Sequence, residues 1–147
     1  MTGELGAGKT YLTKGIVLGL GISAQVKSPT FVIINEYKGD VPVYHFDCYR
    51  LNGPNDLIKL GYEEYFYGNG ITIVEWADKV KRLIPERSVN IKINIKGKNT
   101  RLFSITGLNM MGEKISLKSS IRMKHRQRIP ITRSGIIITR ISISYMP

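Results

Sequence analysis

Apolar and polar positions along the chain switch between a helical period and strand-like runs. Leu12, Ile16, Val17 and Leu20 follow helical spacing and predict a helix from Lys9 to about Leu20, stopped by Gly21. Ser28-Pro29 marks a loop, because proline restrains the residue before it to extended geometry. Residues 31–37 and 41–47 read as two strands joined by a hairpin turn at Lys38-Gly39-Asp40. Residues 54–66 read as a helix, with Asn52 or Gly53 near its cap and Pro54 suited to its first turn. Ile71 to Trp76 is a continuous apolar run that ends in Glu75-Trp76, as in a strand buried on both faces. A short helix from Ala77 to Leu83 precedes Pro85, and strands at 89–95 and 101–106 flank the turn Lys96-Gly97-Lys98-Asn99. This rhythm predicts an α/β fold with a mainly parallel sheet and helices on both faces.

Composition narrows the class without deciding it. A length of 147 residues fits one domain, and 42% hydrophobic residues allow a buried core. No window is long and apolar enough for a spanning helix, and the start of the chain lacks signal-peptide character, so a cytoplasmic address and no membrane partner are expected. Cys48, the single cysteine, excludes an internal disulfide framework and a cysteine-based zinc cage. The net charge of +11 is unevenly placed: residues 1–100 hold 13 Lys and Arg against 10 Asp and Glu, whereas residues 101–147 hold 9 against 1. The first two thirds therefore read as a nearly balanced domain with its own chemistry.

The sharpest chemical signal is Gly3-Glu4-Leu5-Gly6-Ala7-Gly8-Lys9-Thr10, a full match to the phosphate-binding pattern G-x-x-x-x-G-K-[ST]. Glycines let the backbone turn successive N–H groups toward one anion, and the helix that follows adds the positive end of its dipole. Lys9 is placed to reach the outer phosphates of a nucleoside triphosphate, and Thr10 to put its hydroxyl on Mg²⁺. A buried strand should precede such a loop, yet only Met1 and Thr2 stand before it. The expectation is that the first strand is missing by truncation, with the β-branched run 135–143 as a competing occupant of its place.

A phosphate-binding loop also needs an acid for Mg²⁺ or its water at a strand end nearby. Asp47 and Glu75 both close predicted strands, and each is a candidate. Thr30 sits in Ser28-Pro29-Thr30-Phe31 like a switch residue that senses a terminal phosphate, although a plain turn explains Pro29 equally well. His45 is as consistent with a structural imidazole as with a functional one, Trp76 with core packing, and Arg50 with pairing to Asp47. No Asn-Lys-x-Asp element for reading guanine occurs, which favours adenine.

The loop, together with Lys27-Ser28-Pro29-Thr30-Phe31, Asn35-Glu36-Tyr37, Tyr44-His45-Phe46-Asp47-Cys48-Tyr49-Arg50-Leu51, Leu60-Gly61-Tyr62-Glu63-Glu64-Tyr65-Phe66 and Val74-Glu75-Trp76-Ala77-Asp78, resembles the TsaE (YjeE) family in order and spacing over about residues 1–115. The resemblance implies a three-layer P-loop fold and a weak, Mg²⁺-dependent ATP hydrolase. It implies a role in threonylcarbamoyladenosine modification of tRNAs that read codons beginning with A, with TsaD and TsaB as partners and tRNA engaged through that complex. By the same resemblance Gly6, Ala7, Gly8, Lys9, Thr10 and Tyr11 bind ATP, Thr10 and Glu75 ligate Mg²⁺, Asp47 is needed for hydrolysis, and Arg101 makes a further nucleotide contact. The chain departs from the family at both ends. It lacks the elements that precede the loop, and the family ends soon after a segment like Gly112-Glu113-Lys114-Ile115. Residues 116–147 are expected to be a basic tail, either a genuine extension or translation past a frameshift, with the composition favouring the second.

Two other functions compete. A small-molecule kinase shares the loop but needs a lid and an acceptor pocket, for which the sequence after the loop leaves little room. A nucleic-acid-binding module would rest on Arg122, Lys124, Arg126, Arg128, Arg133 and Arg140, each able to neutralise a phosphate.

Overall fold

The computed structural model describes residues 1–108 and 114–122. The first helix, α1 (Lys9–Gly19), leaves the glycine-rich loop directly, and the chain then forms β1 (Ile34–Tyr37), β2 (Val43–Asp47), α2 (Pro54–Ile58), α3 (Glu63–Phe66) and β3 (Ile71–Glu75). A 3-10 helix (Ala77–Leu83) leads to β4 (Asn90–Gly97), β5 (Thr100–Leu108) and β6 (Lys114–Arg122). The long helix expected over residues 54–66 is broken, because Gly61 takes a φ of 66° in the left-handed region between α2 and α3.

The fold is mixed α/β, but the sheet is not mainly parallel among the described residues. Among the named strands β2 and β3 pair in parallel, while β1–β2, β4–β5 and β5–β6 are antiparallel. The cause is local: tight turns join β1 to β2 and β4 to β5, and so short a connection can only reverse the chain, whereas the β2–β3 crossover carries α2 and α3. β6 continues through residue 115, the expected end of the domain, as the third strand of the second sheet.

Strand alternation divides the first sheet into two faces. Val43 and Ile73 pack with Val17 of α1, Ile22, Val26 and Tyr37 on one side. On the other, Phe46, Cys48 and Val74 pack with Leu57, Tyr62 and Val80. There Phe46 meets Tyr65 and Phe66 edge-on, with ring centroids 5.5 Å apart in both pairs. The face toward α1 also carries His45 and Asp47 on β2 and Glu75 on β3, so alternation that builds a core deeper in the sheet delivers polar groups at its end.

Met1 and Thr2 connect the two sheets. Thr2 donates its N–H to the Ile91 carbonyl (2.9 Å) and accepts from the Ile93 N–H (3.0 Å), a parallel bridge to β4. On the other side the Met1 nitrogen donates to the Val74 carbonyl, and the Met1 carbonyl accepts from the Ala77 N–H (3.2 Å). These two residues hold the end of the position expected for the strand that feeds the loop. Behind them lies a cavity of about 450 Å³, lined by Met1, Ile16, Ile71, Ile73, Val89 and Ile91 among others. The run 135–143, the competing occupant, lies outside the described residues.

The loop glycines differ in how replaceable they are. Gly3 has a φ of 148°, and a Cβ there would lie 2.5 Å from the Ile93 carbonyl oxygen. Gly15, inside α1, has open space around it. Gly15→Ala is therefore expected to raise unfolding stability by about 0.5–1 kcal/mol, the gain from removing a helix glycine. Gly3→Ala is expected to lower it. Urea melts of both variants check the pair, and equal effects would contradict the placement of the loop against β4.

Candidate functional site

Asp47 and Glu75 end adjacent parallel strands and are direct register partners, so the sheet places two carboxylates side by side at one edge of the fold. Both are almost fully buried, at 3% and 2% exposure. A carboxylate so buried is held only if its oxygens are bonded. Their partners differ.

Glu75 is tied to α1 and β2. Its Oε2 accepts from Thr10 Oγ1 (2.9 Å), and its Oε1 accepts from Thr13 Oγ1 (3.2 Å) and from His45 Nε2 (2.7 Å). Thr13 lies one turn beyond Thr10 on the same face of α1, and its single hydroxyl hydrogen is shared between Glu75 Oε1 and the Lys9 carbonyl, which lies 3.3 Å away. A carboxylate and a hydroxyl in contact form a hard oxygen pair of the kind Mg²⁺ prefers, with its other positions left to water and phosphate oxygens.

Asp47 is tied instead to the segment before β1. Ser28 Oγ and Thr30 Oγ1 both donate to its Oδ2, and the Tyr49 N–H donates to its Oδ1 (3.0 Å). The Asp47 N–H donates to the Ile33 carbonyl (2.9 Å), and Ile33 carries a φ of 69°, costly for a β-branched residue. Burial works to raise the Asp47 pKa, but the hydroxyls of Ser28 and Thr30 and the Tyr49 N–H together outweigh it and hold the carboxyl below the usual aspartate range.

Lys9 folds back over its own loop. Its Nζ donates to the Gly3 (2.7 Å) and Glu4 (2.9 Å) carbonyls and lies 3.7 Å from the centre of the Trp76 ring. Trp76 reaches that position with a left-handed φ of 58°, immediately after Glu75. Burial lowers the Lys9 pKa, opposed by the negative charges of Glu75, Asp47 and Asp78.

The loop is held from its other side by Arg101, whose Nε donates to the Ala7 carbonyl (3.2 Å) and whose Nη2 donates to the Gly6 carbonyl (3.4 Å). Gly6 and Gly8 both take positive φ, 75° and 104°, and Ala7 is buried between them. Tyr11 points outward with 61% of its surface exposed.

Sequence reasoning singled out Lys9, Thr10, Thr30, Asp47, Glu75 and Arg101, and the structure brings all six to the loop or to the two strand ends beside it. It overlooked Ser28 and Thr13, which carry no signal beyond a hydroxyl at the right offset, and it undervalued His45 and Trp76. His45 was legible through alternation, since it lies two residues before Asp47 and shares its face. Arg50 does not pair with Asp47: its guanidinium carbon stands 4.2 Å from the centre of the Phe31 ring. Burial pushes the Cys48 thiol up to about 12, so it is protonated at neutral pH and is no nucleophile. Lys124, Arg126, Arg128, Arg133 and Arg140 of the expected basic tail lie outside the described residues. No helix among the described residues is long and apolar enough to cross a membrane.

A sequence of phosphate-loop pattern thus lies on a mixed α/β fold beside two acids at neighbouring strand ends. The chain belongs to the TsaE family: the family model for threonylcarbamoyl adenosine biosynthesis protein TsaE matches residues 1–103. It is 40% identical over 126 residues to the tRNA threonylcarbamoyladenosine biosynthesis protein TsaE of Bacillus subtilis, covering 82% of this chain and 78% of that one. To the protein of the same name from Treponema pallidum it is 37% identical over 105 residues, covering 71% and 78%. Among solved structures it is similar to YdiB of Bacillus subtilis, with a TM-score of 0.62 and 39% identity over 76% of this chain and 68% of that one.

The state of Asp47 gives a stability test. Its folded-state pKa is depressed, so its stabilisation is fully present above the unfolded value of about 3.9 and is lost as pH falls through the folded value. Asp47→Asn should therefore show a shallower loss of unfolding free energy on acidification from pH 5 downward than the parent. Urea melts across that range check it, and parallel profiles would contradict the assigned bonds.

Proposed function

We propose that this TsaE-family chain is a weak Mg²⁺-dependent ATP hydrolase. In this reading it acts with TsaD and TsaB in forming threonylcarbamoyladenosine on tRNAs that read codons beginning with A, and it engages tRNA through that complex. The observation that carries the reading is the register pairing of Asp47 with Glu75 together with the bond from Thr10 to Glu75, which gives the loop an acid partner of its own. The three-layer P-loop arrangement is part of the same reading, supported by α1 packing on one face of the first sheet and by Leu57 of α2 with Val80 on the other.

The residues divide the work by their surroundings. Gly6, Ala7 and Gly8 supply the backbone bend, and Thr10 and Tyr11 follow at the first turn of α1. Lys9 exchanges its loop carbonyls for the outer phosphates, a favourable exchange because a phosphate carries full charge where a carbonyl carries a dipole. Thr10 and Glu75 would hold Mg²⁺, which when bound neutralises charge on the phosphate oxygens. Asp47, with Thr30 beside it, acts on the attacking water or its network. Arg101 supports the loop through the Gly6 and Ala7 carbonyls and stands within reach of a nucleotide bound there.

Three substitutions test this division. Lys9→Ala should abolish measurable ATP binding by calorimetry. Glu75→Ala should weaken binding only when Mg²⁺ is present, whereas Asp47→Ala should spare binding and lower the hydrolysis rate by roughly 10²–10⁴-fold. Unchanged ATP affinity in Lys9→Ala would overturn the nucleotide assignment. Equal loss of affinity in the two acid variants would overturn the separation of roles.

A further inference from the structure

The two oxygens of Glu75 keep different company. Oε1 faces inward and accepts from His45 Nε2 (2.7 Å) and Thr13 Oγ1 (3.2 Å), while Oε2 meets Thr10 Oγ1 (2.9 Å). A glutamate carboxylate turns easily about its last torsion, which has broad wells and exchanges its oxygens. Here two donors on one oxygen oppose that turn. The His45 ring is fully buried, and Nε2 must donate because a carboxylate only accepts.

His45 is itself held from behind. Its Nδ1 lies 3.5 Å from Tyr37 Oη, and the two rings are stacked with centroids 6.3 Å apart. Tyr37 is buried at the end of β1, whose antiparallel register sets Asn35 opposite His45 and Tyr37 opposite Val43. The hydrogen-bond line Tyr37–His45–Glu75 therefore runs across all three strands of the first sheet and ends at Thr10 of the loop helix.

We propose that His45 is a positioning residue for the metal-dependent step. It pins Oε1 inside the fold so that Oε2 stays turned toward Thr10 Oγ1. The proposal rests on the reading that Thr10 and Glu75 serve Mg²⁺. Orienting the carboxylate before the metal arrives removes an ordering cost from binding, and losing an outer partner of this kind typically weakens metal affinity by roughly 10–100-fold.

Two amide substitutions separate positioning from packing, since both are polar and both shrink the side chain. His45→Gln extends an amide toward the place of Nε2 and keeps a donor for Oε1, whereas His45→Asn is a methylene shorter and falls short of it. ATP affinity in EDTA, the Mg²⁺ concentration that half-saturates the ATP-dependent response, and the melting temperature are measured for both. His45→Asn should raise the half-saturating Mg²⁺ concentration by roughly 10–100-fold with ATP affinity in EDTA unchanged, and His45→Gln should recover most of that loss. Equal shifts in the two variants, or none in either, would overturn the proposal. Glu75→Gln keeps the two readings apart. If it leaves the Mg²⁺ dependence intact, the metal assignment fails. If it removes that dependence while His45→Asn does not, only the positioning role fails. Should His45→Asn not fold, the imidazole Nε2–H signal of the unmodified protein gives the answer by NMR: it should move on adding Mg²⁺ with ATP but not ATP alone, and a signal that ignores the metal would overturn the proposal.

Discussion

A carboxylate with 2% of its surface exposed survives in a protein only where donors surround it, and for Glu75 those donors fix the relative positions of three elements. Thr10 and Thr13 commit the first turns of α1, and His45 commits the middle of β2. The phosphate loop thus derives part of its anchoring from behind, through the helix it feeds. On its other side Met1 and Thr2 make backbone bonds to both sheets, and the cavity behind them is lined largely by apolar side chains. A loop that must present several N–H groups to one anion needs both ends fixed, because ordering each free residue costs about 1–2 kcal/mol of backbone entropy. The Glu75 network and the clamp of Arg101 on the Gly6 and Ala7 carbonyls supply that order on two sides.

Neighbouring acids in unlike surroundings are suited to unlike tasks. Glu75 is held by hydroxyls of the loop helix and by an imidazole, buried at the end of β3. Asp47, its register partner, is held by hydroxyls of the segment that precedes β1, and that segment is strained at Ile33. Strain of this sort persists only where neighbouring contacts determine the backbone, and it concentrates at places that respond to ligands. The Lys9 ammonium rests on the Gly3 and Glu4 carbonyls and on the Trp76 face, and in the proposed reading it exchanges the carbonyls for phosphate.

Much of this was legible in the sequence because it depends on local pattern. The loop, the helix after it and the two acids at strand ends follow from spacing alone, and α1 begins at Lys9 as read. The order of motifs pointed to the family that the comparisons show. What escaped depends on three-dimensional closure. The helix expected over residues 54–66 broke at Gly61, where a left-handed residue redirects the chain although the flanking apolar spacing runs on. The sheet proved mostly antiparallel among the described residues because hairpin turns outnumber crossovers. Ser28 and Thr13 acquire meaning only through partners 19 and 62 residues away, and no periodicity encodes such pairs.

In the proposed reading, Thr10 and the outward oxygen of Glu75 form one metal-binding edge of the phosphate loop. Crystals of the protein with Mn²⁺ and a non-hydrolysable ATP analogue, measured at the manganese absorption edge, locate the cation directly by anomalous scattering. A single strong peak within coordination distance of Thr10 Oγ1, and reaching Glu75 Oε2 either directly or through one water, is the expected result. A peak beside Asp47 with Glu75 still bonded to Thr10 would contradict the account.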